Sequence, residues 1–260
     1  MDIIEEAKQV FDIEISELKK VRDRIDISIE KAAKLIFESK GKVVITGIGK
    51  SGLVGKKMAA TFASTGTLSI FMNSAEGLHG DLGMISKNDV VIAISNSGNS
   101  DEVVGIIPAI KKIGAKIIAM TGNKKSKLGT AADVVLDIGV ETEACPLNLA
   151  PTSSTTATIV MGDALAAVLI TLRNFKPENF ALYHPGGSLG RRLLLKVRDV
   201  MHSGVELPLG SQNEEIDSIL LKLSEKKMGG VCIAGESGKL EGLITEGDIR
   251  RALKDRERFF

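Results

Sequence analysis

The chain has 260 residues, 43% of them hydrophobic, which predicts one larger globular domain with a smaller appendage rather than a single core. Its 34 Lys and Arg offset 33 Asp and Glu, and this net charge of +1 gives no electrostatic reason to expect nucleic acid or an anionic membrane as partner. No uninterrupted apolar run approaches the ~20 residues of a membrane span, and the N-terminal MDIIEEAKQVFDIE is acidic where a signal peptide is basic, so a cytoplasmic protein is expected.

From Ile4 through Ala7, Phe11, Leu18, Val21, Ile25, Ile29, Ala32 and Ile36, apolar residues recur at helical spacing. Residues 1–40 are therefore predicted to be an amphipathic helical lead-in that packs on its own domain and stops at Gly41. Five short runs rich in β-branched residues follow: KVVIT, TLSIFM, DVVIAIS, AKIIAMT and VVLDIG. Helical stretches such as GLVGKKMAATFAS and DEVVGIIPAIKKI lie between them and end near Gly66 and Gly114, residues suited to helix C-caps. This alternation predicts an α/β domain over 41–195, a five-stranded parallel, doubly wound sheet with helices on both faces. A long helix from about Ser153 to Arg173 is expected to cover the sheet, with Thr152, Ser153, Ser154 and Thr155 capping it. Beyond about Lys196 the pattern changes. A strand-like KVRDVM, a helix, two strands and a last helix predict a small α+β unit over 196–260.

Cys145 and Cys232 are far apart and form no CxxC pair, which speaks against a disulfide framework or a cysteine-built zinc site. The first strand runs into GIGKSG, which satisfies GxGxxG. A dinucleotide site would also need an acidic residue near the end of the second strand, where Phe71, Met72, Asn73 and Ser74 stand. A P-loop ending at Lys50 and Ser51 would need glycine at Val44. What remains is a glycine-rich turn opening a helix, where N–H groups and the helix dipole favour a phosphate and Lys50 adds a mobile cation. SNSGNS, Ser95 to Ser100, opens a later helix in the same way. Serine and asparagine at a helix start need no ligand, but the cluster offers three hydroxyls. If the strand order is 2-1-3-4-5, both loops face one crevice, sized for a phosphomonoester rather than NAD.

GIGKSG, SNSGNSDE, ETEACPLNLAPTSSTTATIVMGDALA and HPGGSLGRR, in this order and ahead of a segment similar to a single CBS motif, resemble the arabinose 5-phosphate isomerase family of sugar isomerase (SIS) domain proteins. The resemblance implies interconversion of ribulose 5-phosphate and arabinose 5-phosphate, the first step towards the Kdo sugar of lipopolysaccharide or capsule, by a homotetramer. By matched motif positions it implies catalytic roles for Lys50, Glu102, Glu143 and His184. Phosphate contacts fall on Ser51, Ser95, Asn96, Ser97 and Ser100, and further substrate contacts on His79, Gly66 and Thr67. Neither a cofactor nor a required metal is expected; the histidine of other relatives is replaced by Asn73. Thr245 and Asp248 match nucleotide-holding CBS positions, but with one motif a structural or oligomerising role is expected ahead of nucleotide or sugar-nucleotide binding.

These residue types suit an enediolate isomerisation, in which a carboxylate moves a proton between C2 and C1 and a cation stabilises the intermediate. Glu102 and Glu143 are both candidates for the base, and the sequence does not rank them. Glu102 also suits a helix's first turn for purely electrostatic reasons, and Glu141 competes with Glu143. The rival readings are a non-catalytic phosphosugar-binding regulator and an isomerase of another sugar phosphate, such as 3-hexulose 6-phosphate. No basic segment suggests the DNA-binding domain that such regulators usually carry.

Overall fold

The computed structural model describes residues 2–186, 190, 192–193 and 195–254. Gly187, Ser188, Leu189 and Arg191 of the HPGGSLGRR segment lie outside the described residues. The chain divides into two compact units, residues 1–194 and 195–260.

In the first unit the helical lead-in is two helices, α1 (Ile3–Asp23) and α2 (Ile27–Glu38), rather than one. The break comes where Asp26 takes an extended conformation and its carboxylate accepts the Ser28 N–H, a cap strong enough to start a new helix within an unbroken apolar period. Strands β1 (Val43–Gly47), β2 (Ser69–Asn73), β3 (Val90–Ile94), β4 (Lys116–Thr121) and β5 (Val134–Asp137) form one sheet in the order β2-β1-β3-β4-β5. All pairings are parallel.

Alternate strand residues serve opposite faces. Val43, Ile45, Ile92 and Met120 join the cluster that contains residues of α1, α2, α3 (Gly49–Ser64) and α7 (Ser153–Leu172). Val44, Val91, Ala93 and Ile117 join the other, with α5 (Asp101–Ile113) and Leu128 of α6 (Lys127–Ala131). Burial on both faces is why these strands read as continuous apolar runs. α5 ends at Gly114 with φ 91°, as its glycine suggests. By length and composition α7 could cross a membrane, but its Ala157, Met161, Leu165 and Leu169 are buried in the first cluster. α4 (Ser74–Gly77) follows β2 and α8 (Pro177–Tyr183) follows α7.

The second unit holds α9 (Val197–Val200), β6 (Leu209–Gly210), α10 (Ile216–Lys226), β7 (Gly230–Ala234), β8 (Leu240–Thr245) and α11 (Glu246–Ala252). KVRDVM, read as strand-like, is a short helix instead. The Asp199 carboxylate accepts the Lys196 N–H at 2.9 Å and turns the chain there. The first strand of this unit comes later, and β6 pairs parallel and β8 antiparallel with β7. Its small core is Ile219, Val231 and Ile233.

Candidate active site

Strands β1 and β3 are neighbours in register, Thr46 beside Ala93, so the loops that leave their carboxyl ends emerge side by side. A Cβ on Gly47 would stand 3.2 Å from the Ile94 carbonyl, and one on Gly52 3.0 Å from the Gly47 carbonyl, which explains glycine at both positions. Gly49 opens α3 with φ 58°. No side chain caps this helix, so its first N–H groups face outward with Ser51 half-buried beside them. Lys50 is exposed and makes no hydrogen bond or ion pair among the described residues.

The β3 loop is more tightly built. Buried Ser95 shares a hydrogen bond with Ser100, Oγ to Oγ at 2.9 Å, and its Oγ accepts the Gly98 N–H at 3.1 Å. Gly98 has φ 67°, and a Cβ there would lie 1.9 Å from the Ser126 Oγ; any other residue would displace the loop. Asn96 and Ser97 are exposed at its tip, and Ser97 Oγ accepts the Asn99 N–H at 3.2 Å. α5 also starts without a side-chain cap. Two helix N-termini and several hydroxyls therefore meet at one end of the sheet, an arrangement that favours a dianionic phosphate.

Both glutamates stand at this carboxyl end. Glu102 is the second residue of α5, half-buried and without a hydrogen-bond partner among the described residues. Glu143 lies in the loop after β5 and reaches the start of α7. Its Oε2 accepts the Thr152 N–H at 2.7 Å, the Thr152 hydroxyl at 3.1 Å and the Ser154 N–H at 3.2 Å. The expected serine and threonine caps are thus replaced by a carboxylate nine residues upstream of Thr152; the Thr152 side chain makes no cap of its own. Burial pushes the Glu143 carboxyl up, but bonds from Ser154 and Thr152 outweigh it and hold it below its ordinary value. Glu17 of α1, itself buried, fixes the same loop by accepting the Glu141 N–H at 2.7 Å.

α3 and α7 run side by side in the same direction. The Arg173 side chain just beyond α7 bonds Thr67 just beyond α3, Lys57 pairs with Asp163, and Gly162 leaves room for Met58, these last two contacts lying about two to three turns from the start of each helix. Their N-termini are consequently level, and Lys50 and Glu143 share one end of the domain. His79, exposed just beyond α4, is there too. Asn73 spends its side chain capping α4, accepting the Ala75 N–H at 3.0 Å.

Gly66, Thr67 and His184 are elsewhere. Thr67 precedes β2, whose first residue pairs with the first residue of β1, so it lies at the amino end of the strands. Its Oγ1 accepts from Arg173 Nε at 3.2 Å. Gly66, at φ 88°, leaves space that a Cβ would take 2.5 Å from the Phe175 ring. Gly66, Phe175 and Tyr183 line one cavity of about 360 Å³, and His184 follows Tyr183 directly. The His184 ring stacks on Phe180 at 3.8 Å, and its Nδ1 bonds the Phe180 carbonyl at 2.9 Å. A five-residue strand, about 16 Å long, separates this set from the Lys50 end of the same chain.

A SIS domain is matched over residues 35–168. The chain is 51% identical over 253 residues to an arabinose 5-phosphate isomerase, KdsD, of Pseudomonas aeruginosa, covering 97% of this chain and 78% of that protein. A second KdsD, from Francisella tularensis, is 51% identical over 95% of this chain and 76% of its own. The chain belongs to the arabinose 5-phosphate isomerase family of SIS-domain proteins. A solved structure of E. coli CFT073 c3406 in complex with arabinose 5-phosphate is 42% identical, with a TM-score of 0.69 over 71% of this chain and 98% of that one. The strand order reverses between β1 and β3, and ligands of open α/β sheets settle at the carboxyl end beside such a switch. Among the described residues no three His, Cys, Asp or Glu side chains gather as a metal site. In the second unit, Thr245 and Asp248 are engaged with each other: Asp248 accepts the Thr245 hydroxyl at 2.6 Å and pairs with Arg251. The bonds from Thr245, then Arg251, pull the Asp248 carboxyl down to about 2.

Thr152, expected only as a helix cap, bonds Glu143 Oε2, and Asn148, which the sequence did not single out, accepts the Glu143 N–H through Oδ1 at 2.7 Å. Only the left-handed backbone of Asn148, φ 52°, belongs to a known sequence preference, that of asparagine for such turns.

Proposed function

We propose that this chain is an aldose–ketose isomerase interconverting D-ribulose 5-phosphate and D-arabinose 5-phosphate. The observation that carries the reading is the joining of two uncapped helix N-termini to Lys50, Glu102 and Glu143 at one end of the sheet, in a chain half identical to isomerases of that name. Ser51, Ser95, Asn96, Ser97 and Ser100 hold the phosphate, and His79 contacts the sugar.

From the aldose, Glu143 takes the proton from C2 as the C1 carbonyl electrons move to O1. The enediolate charge forms beside Lys50. Glu143 then returns the proton to C1 while O2 becomes the carbonyl, and Glu102 carries the proton passing from O2 to O1. Its fixed carboxylate makes Glu143 the better carbon base, whereas Glu102, unanchored, can follow both oxygens. His184, Gly66 and Thr67 come from a second copy of the chain, His184 assisting ring opening or proton transfer.

The assembly is a homotetramer working in the cytoplasm, and its product leads to Kdo for lipopolysaccharide or capsule. The second unit is a single CBS-type module whose role is structural, since Thr245 and Asp248 are occupied with capping α11. Incubation of the purified protein with ribulose 5-phosphate, without nicotinamide or added metal, is expected to yield arabinose 5-phosphate. Tight binding with no turnover would replace the enzyme with a phosphosugar-responsive regulator; a different aldose would reassign the substrate.

A further inference from the structure

We infer that Thr152 is the positioning residue for Glu143, tying the end of its side chain to the neighbouring backbone so that the carboxylate meets the substrate in one orientation. The inference rests on the reading of Glu143 as carbon base. The Thr152 N–H, the Thr152 hydroxyl and the Ser154 N–H all end on Oε2, and the Ser154 side chain also stabilises the ionised carboxylate. The Thr152 hydroxyl makes two bonds with different polarity. It donates to Oε2 at 3.1 Å and accepts the N–H of Ala144, the next residue after Glu143, at 2.8 Å. One hydroxyl thereby ties the backbone at Glu143 to the end of its side chain. A hydroxyl donates and accepts through one atom, and the β-branch of threonine restricts χ1, so the bridge is held in a preferred orientation. Asn148 holds the remaining side by accepting the Glu143 N–H. A base whose position is fixed through a supporting hydrogen bond loses rate, rather than substrate affinity, when that support goes.

Thr152→Val keeps the shape and removes both bonds. With ribulose 5-phosphate, kcat should fall about 10- to 100-fold while KM changes little. The acid limb of the kcat profile should move to higher pH, because the hydroxyl bond helps hold the carboxyl ionised. Thr152→Ser, which keeps the hydroxyl, should restore both. Asn148→Gly suits the left-handed backbone and leaves Oε2 bonded, so it should lower kcat without moving the acid limb; it supplies the test if Thr152→Val does not fold. A folded Thr152→Val with unchanged kcat and pH profile, beside an inactive Glu143→Gln, would overturn the positioning role alone. An Asn148→Gly enzyme as fast as the unaltered protein would do the same. Full activity of Glu143→Gln would remove the base assignment and this inference together.

Discussion

Lys50 and Glu143 share one end of the domain but are held in opposite ways. Lys50 is exposed and unpartnered among the described residues, as a cation must be if it is to follow charge that develops on a substrate. Glu143 is anchored through Oε2 by three donors from Thr152 and Ser154. Glu102 has neither constraint nor partner among the described residues. These differences rank two carboxylates that composition and spacing leave equal. Glu143→Gln should lower kcat by about 10²–10⁴-fold, Lys50→Ala should also lower it severely, and Glu102→Gln should cost less than Glu143→Gln. All three should keep a native circular dichroism spectrum; a larger loss at Glu102 would reverse the ranking. That GIGKSG, SNSGNSDE and ETEACPL would come to one end of the sheet was legible in the alternation of strands and helices. The ranking of their two glutamates was not, because it depends on a carboxylate reaching nine residues along the chain to a helix start, and no local pattern encodes that contact.

At the scale of elements, the central strand β3 and its neighbour β1 are fastened together at their amino ends by Asp89. Its carboxylate accepts the Lys42 N–H at 2.9 Å, the Lys42 ammonium at 2.7 Å and the Ser86 N–H at 2.8 Å, and the residue is only 2% exposed. Gly41 is required beside it, since a Cβ there would lie 2.3 Å from Oδ1. Burial raises the Asp89 carboxyl, yet the Lys42 and Ser86 bonds prevail and lower it. Stability from a depressed carboxyl is complete above its unfolded value, near 4, and is lost as pH falls through the folded one. Asp89→Asn should therefore unfold in urea with about 1.5–3 kcal/mol less stability at pH 7, and the gap to the unaltered protein should close on acidification below about pH 4. A gap independent of pH would rule out this account. Five strands and the helices between them were readable because burial on both faces leaves unbroken apolar runs. The α1–α2 break and the helical Val197–Val200 were not, since each is decided by one aspartate cap acting over a few residues, too few for periodicity to register.

For the whole molecule, the site residues fall into two groups that one chain cannot bring together. Lys50, Glu143 and the serine loop lie at the carboxyl ends of the strands; Gly66, Thr67 and, through α8, His184 lie at the amino ends. A second copy that presents its amino-end group to the carboxyl-end crevice would complete the site. Leu147 and Leu149, 75% and 78% exposed on the loop that carries Glu143, offer apolar surface for such a contact. Subunit mixing tests this directly. His184→Ala and Lys50→Ala are each expected to be inactive alone. When subunits exchange freely, about half of a two-fold symmetric set of interfaces are mixed, and each mixed interface has one site with both residues altered and one with both intact. Activity should therefore return to about a quarter of that of the unaltered protein. No recovery, with exchange demonstrated by differently tagged subunits, would mean that His184 serves its own chain or only the fold.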